Sequence, residues 1–165
     1  MSSADRALPV LGRADGSMLP AGVLGVTMKL CMDDVPAGGA EAAVNGGHHA
    51  GDCLRACVAT VLGLPLEDVP HFVQYIEHPA GTDRSLWWWA MYGFCRWYGW
   101  SVGYDDDPLD PPKGWALADG RSPRGHMHVV VAFDGQVVFD PHPSRAGLTE
   151  ITGWMPMTKD AVRGC

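Results

Sequence analysis

Cys53 stands where a thiol could act as a nucleophile. The segment from Gly51 to Gly63 (GDCLRACVATVLG) reads as a short helix whose first turn carries this cysteine. Asp52 is a suitable N-cap, Leu54, Cys57, Val58 and Val61 fall on one helical stripe, and Gly63 is a suitable stop. At a helix N-terminus the unbonded N–H groups and the positive end of the macrodipole favour thiolate over thiol, and the thiolate is the form that attacks a carbonyl carbon. Such a nucleophile needs a base within hydrogen-bond reach, a group that orients the base, and donors for the oxyanion. The run from His126 to Phe133 (HMHVVVAF) reads as a strand, Asp134-Gly135 as a two-residue hairpin turn, and Gln136 to Asp140 (QVVFD) as the return strand. A tight hairpin brings the start of its first strand beside the end of its second, so His128 and Asp140 are expected close together. Counting outward from the turn pairs Phe133 with Gln136 and Val129 with Asp140, one position from His128. His126 would share the strand face of His128 and competes with it as the base, and His142 follows Asp140 closely enough to reach a cleft.

The elements that must position these residues follow in order. Residues 1–24 are rich in Gly, Ala, Ser and Pro and read as a flexible leader, with Met28 a conceivable alternative start; residues 25–165 read as a single domain. Val26 to Met32 alternates weakly as a first strand, and the Gly/Ala-rich loop from Asp33 to Gly51 approaches the Cys53 helix carrying Asn45, His48 and His49. After Gly63 comes a helical turn between Pro65 and Pro70 and then a second helical piece towards Ile76. Asp83 or Ser85 caps a longer helix, Leu86 to Tyr98, so dense in Trp, Tyr and Phe that burial on several sides is expected. Trp100 to Tyr104 and Gly114 to Ala118 read as strands, and a tail from Leu148 holds a last edge strand around Ile151 to Met155. Helices first and an antiparallel sheet of three to five strands afterwards mean an α+β domain.

At 165 residues the chain suits one domain with an ample core. A net charge of −7 without any Lys/Arg cluster argues against general nucleic-acid binding, which depends on concentrated positive charge. Five cysteines at irregular spacings and no signal-peptide pattern fit a reducing cytoplasm, and no apolar run is long enough to span a bilayer. The consecutive aspartates 105–107 lack the alternate ligand spacing and the turn glycine of a calcium loop.

The order of cysteine, histidine opening a strand and Asp-Pro closing the next resembles the papain-like cysteine peptidase superfamily. It is most similar to the bacteriocin leader-processing (double-glycine) peptidases and to small bacterial and bacteriophage relatives. The likeness lies in Gly51 to Phe72 (GDCLRACVATVLGLPLEDVPHF) and Ser122 to Leu148 (SPRGHMHVVVAFDGQVVFDPHPSRAGL). It implies a papain-like α+β fold, with a nucleophile helix and further helices packed on a small antiparallel sheet. It makes Cys53 the nucleophile, His128 the general base, placed directly before the Val-Val run, and Asp140 the orienting acid; His126 becomes a rim residue. The implied activity is hydrolysis of a peptide or small amide through an acyl-enzyme, with no cofactor, in the cytoplasm, possible sites including that of a phage-infected host. Papain-like enzymes usually place an oxyanion-hole glutamine six residues before the cysteine. Here that residue is Gly47, so the Cys53 N–H and the neighbours Asn45, His48, His49 and Asp52 are the oxyanion and cleft candidates.

Two rival readings use the same residues. His48, His49, Cys53, Cys57, His126, His128 and His142 are all metal-competent, but Cys53 and Cys57 lie in a helical stripe and the second pair would have to be His126 and His128, which the triad uses, so a zinc site is the lesser reading. The other rival is a non-catalytic binding or host-interaction module on the same scaffold, which an exposed aromatic patch around Trp87 to Trp89 would favour. An acyltransferase on the same triad is a third outcome of the same chemistry.

Overall fold

The computed structural model describes residues 52–73 and 86–161. The leader, the expected strand at Val26 to Met32, the cap candidates Asp83 and Ser85, and Asn45, His48 and His49 lie outside the described residues. The fold is mixed α+β: helix α1 (Cys53–Leu62), a 3-10 turn (Leu66–Asp68), helix α2 (Leu86–Trp97), and strands β1 (Trp100–Val102), β2 (Trp115–Arg121), β3 (Met127–Phe133), β4 (Gln136–Phe139) and β5 (Glu150–Lys159). All five strands form one antiparallel sheet in the order β1-β5-β2-β3-β4.

α1 stops where its sequence says it should. Gly63 adopts φ 70°, and the Leu64 N–H reaches back to the Ala59 carbonyl at 2.9 Å, a closure that requires the left-handed conformation glycine takes without cost. Leu54, Ala56, Cys57, Val58, Ala59 and Val61 are buried, and they pack with Leu117, Val131 and Met155 of the sheet. Alternation along β2 divides the sheet: Leu117 belongs to the helix-covered core, whereas Ala116 and Ala118 join Val130, Ala132, Leu148 and Trp154 in a smaller cluster on the other face. Arg55 Nε donates to the Val69 carbonyl at 2.7 Å and ties the 3-10 turn back to the helix.

Two expectations are corrected. α2 is not buried on several sides: Met91 and Cys95, one turn apart, are its fully buried residues, while Trp89 is 61% exposed and Trp97 87% exposed. Trp87, Trp88, Tyr92 and Phe94 are partly buried against the core, and some rings meet edge-on, Phe94 against Phe72 at 5.7 Å and Trp88 against Tyr104 at 5.9 Å. The end of α2 is held by Arg96, which donates to Ser101 Oγ and pairs with Asp160 at 2.8 Å.

The C-terminal strand is the second correction. β5 runs for ten residues and lies between β1 and β2 instead of forming a short edge. Its residues ITGWMPMTK do not alternate cleanly, because a register shift between Asp119 and Gly120 breaks the period and Pro156 interrupts the donor row. Pro156 accepts from the Gly103 N–H at 2.9 Å but has no N–H to return, and β1 ends at Val102, shorter than the expected Trp100 to Tyr104. β2 extends three residues beyond the expected Ala118, to Arg121. At its end Gly120 is obligatory: a Cβ there would sit 1.8 Å from the Glu150 carbonyl oxygen.

Candidate active site

The hairpin that carries the base forms as its turn residues require. Asp134 and Gly135 both have positive φ, 49° and 75°, the two-residue geometry whose twist matches the flanking strands. Phe133 pairs with Gln136 and Ala132 with Val137, but the register then shifts and Val131 pairs with Phe139. This bulge corrects the uninterrupted count from the turn. Had Val129 faced Asp140, the carboxylate would lie on the opposite face from His128. The extra residue in β4 moves Asp140 opposite Val130, so it shares a face with the residue two positions earlier, His128.

The result is a short, buried contact. His128 Nε2 lies 2.7 Å from Asp140 Oδ1, with His128 3% and Asp140 7% exposed. Asp140 is itself cradled: the His142 N–H donates to Oδ1 at 2.8 Å and the Gly147 N–H to Oδ2 at 2.7 Å. Burial raises the Asp140 carboxyl, but the His128 bond, the two backbone N–H donors and the His128 charge outweigh it and hold the group below its ordinary 3.8. For His128, burial pulls downward, yet hydrogen bonds to Asp140 and Cys53 and the charges of both push the imidazole up to about 9.

Cys53 reaches this pair from the helix side. Cys57, one turn further along α1, is fully buried and donates its thiol to the Val129 carbonyl at 3.4 Å, next to His128 in the chain. That anchor sets the N-terminal turn of α1 beside the start of β3, and Cys53, partly exposed, lies near enough to His128 to favour its charged form. With Nε2 taken by Asp140, Nδ1 is the ring nitrogen that remains for the thiol. The first-turn N–H groups of α1 have no acceptor within the helix, because the Ala56 N–H makes its first bond, to Asp52 O at 2.9 Å.

Asp52 occupies the N-cap position without a side-chain capping bond. Its carboxylate is buried and stands 4.0 Å from Arg55. A carboxylate accepts hydrogen bonds and brings no donor to an oxyanion. His126 is half-buried and accepts from Arg124 Nε at 3.4 Å, apart from the His128–Asp140 contact. His142 turns its ring edge-to-face on His128, with centroids 6.1 Å apart.

Several contributors were not foreseen from residue types. The Gly147 N–H closes on Asp140 from seven residues away, and Gly147 has φ 68°; a glycine shortly after Asp-Pro was the available signal. Asp119, on the strand beside β3, is held above its ordinary 3.8 by burial, against a 3.1 Å hydrogen bond from Thr152, and its Oδ1 is buried without a hydrogen-bond partner. Among the described residues no group of three His, Cys, Asp or Glu side chains is arranged to hold a metal ion, and no helix is long and apolar enough to cross a membrane. Comparison of the chain with protein-family models, with curated proteins and with solved structures finds no match.

Proposed function

We propose that this protein is a papain-like cysteine hydrolase, a peptidase or amidase acting through an acyl-enzyme. One observation carries the reading: a buried histidine is held at 2.7 Å by a buried carboxylate on one ring nitrogen, with Cys53 near enough for its thiol to favour the charged imidazole. In the reaction, His128 Nδ1 takes the Cys53 proton, giving a thiolate–imidazolium pair, and Asp140 fixes the tautomer and bears part of the imidazolium charge. The thiolate attacks the carbonyl carbon of the substrate. The first-turn N–H groups of α1, that of Cys53 foremost, lie where an oxyanion would be stabilised. As the tetrahedral intermediate collapses, His128 returns the proton to the departing amine and a thioester to Cys53 remains. His128 then draws a proton from water, whose oxygen attacks the thioester and releases the acid.

An amine in place of water would make the same machinery an acyltransferase. A binding module on this scaffold is the second reading, and the exposed indoles of Trp89 and Trp97 favour it. The site of action proposed is a cytoplasm, with the resemblance to phage-borne proteins pointing to an infected bacterial cell.

The deciding experiment is iodoacetamide labelling of Cys53 against pH, located by mass spectrometry, in wild type, His128→Ala and Asp140→Asn. Labelling at pH 6 about a hundredfold faster than for an ordinary thiol, and lost in His128→Ala, supports the hydrolase and justifies screening peptide and amide libraries. An ordinary thiol profile that neither substitution changes sinks it.

A further inference from the structure

Beyond the three residues of the proposed site, a hydrogen-bonded chain runs to the far side of His128. Arg124 Nη1 donates to Ser144 Oγ at 3.0 Å. The Ser144 N–H donates to His142 Nδ1 at 3.0 Å, which makes that nitrogen an acceptor, so the Ser144 hydroxyl, 2.7 Å away, donates to it as well. Both donors fix the His142 tautomer with its hydrogen on Nε2, because a second ring hydrogen on Nδ1 would point at two N–H and O–H groups. The ring so oriented stands at 90° to His128 with centroids 6.1 Å apart. The same residue's backbone N–H holds Asp140 Oδ1 at 2.8 Å. His142 therefore touches both members of the acid–base pair, one through its ring and one through its backbone.

We infer that His142, locked by Ser144 and Arg124, is a positioning residue that keeps the His128 imidazole on the line to Asp140. The inference rests on reading Cys53, His128 and Asp140 as the working site. The groups that bear on His128 are Cys53 from α1, Asp140 from the end of β4 and His142 from the loop after it. Of these, His142 sets a ring at 90° to the imidazole, a plane held by the Ser144 bonds to its Nδ1. Removing that plane lets water compete for Asp140 in a higher local dielectric, which weakens the charge-assisted bond.

The test is an NMR titration of the His128 imidazole in wild type, His142→Ala and His142→Phe, alongside Cys53 labelling at pH 6. The alanine variant is expected to lower the His128 midpoint by about one unit and slow labelling about tenfold. The phenylalanine variant, which keeps a ring, is expected to hold both within about twofold of wild type. A His142→Ala titration that superimposes on wild type overturns the inference, and so does a His142→Phe variant as impaired as the alanine one. If His142→Ala fails to fold, Ser144→Ala decides: a smaller shift in the same direction supports the inference and none overturns it. Wild-type Cys53 labelling like an ordinary thiol would defeat the hydrolase reading, yet the His128 titration would still decide the role of His142.

Discussion

Helix α2 and the corner where α1 meets β3 invert the usual placement of polar and apolar groups. The corner buries Asp52, His128 and Asp140, at 1%, 3% and 7% exposure, while α2 leaves Trp89 and Trp97 more than half exposed. The difference lies in partners. His128 and Asp140 have short bonds, so their desolvation is offset by charge-assisted contacts, whereas the indoles of α2 exceed the one stripe that Met91 and Cys95 present to the core. Burial follows from what an element can face, and residue type alone does not set it.

The largest effect expected from this contrast is at Asp140. Asp140→Ala leaves His128 and the His142 and Gly147 N–H groups without their acceptor in a buried place, and is expected to lower folding stability by about 3–5 kcal/mol in urea denaturation. A change below about 1 kcal/mol would mean that the corner admits water freely. Met91→Ala comes next, at about 2–4 kcal/mol, because it empties a fully buried site between α2 and the sheet. In the same assay Trp97→Ala is expected to change stability by less than about 0.5 kcal/mol despite removing a much larger side chain. Equal effects of the two would break the comparison.

pH separates the two regions more finely. His128 titrates near 9 in the folded protein against 6.5 ordinarily, so its pairing contributes fully below about pH 6.5 and is lost as pH rises through about 9. Asp140 is lowered, so its share is present above the ordinary 3.8 and disappears as acid brings the pH down through its depressed value. Urea midpoints are therefore expected to fall between pH 6.5 and 9 in wild type, and to fall less in Asp140→Asn. The smallest effect has the opposite sign. Asp119 is held above 3.8, so its ionised form is disfavoured by folding and stability drops as pH rises through its folded value. Asp119→Asn, which keeps an acceptor for Thr152, is expected to raise the urea midpoint at pH 7 and leave it unchanged at pH 3.

Much of this was legible in the residues. The apolar stripe and Gly63 mark α1 and its end, and Asp134-Gly135 marks the hairpin, because glycine stops and two-residue turns depend on local backbone chemistry; Asp52 stands at the N-cap position without the capping bond its type suggested. The closeness of His128 to Asp140 followed from the turn. The face they share did not, since it depends on a bulge that no residue between Gln136 and Asp140 announces. β5 hid for a related reason: its extra residue Thr152, opposite the Asp119–Gly120 step, and the proline at 156 erase the alternation that reveals a strand. The acceptor role of His142 Nδ1 and the closure of Gly147 on Asp140 are long-range facts, settled only when the loop from Pro141 to Gly147 folds over the strand end.

The bulge in β4 makes the acid–base pairing a matter of odd and even. A deletion of Val138 would remove the bulge and still leave Asp140 opposite Val130, on the face of His128, whereas closing the bulge at unchanged length would set Asp140 opposite Val129 and hand it to the other side of the sheet. Related chains can therefore be sorted by register: one with a turn-to-aspartate segment a residue shorter keeps the pair in a plain hairpin, and one of this length keeps it only with the bulge.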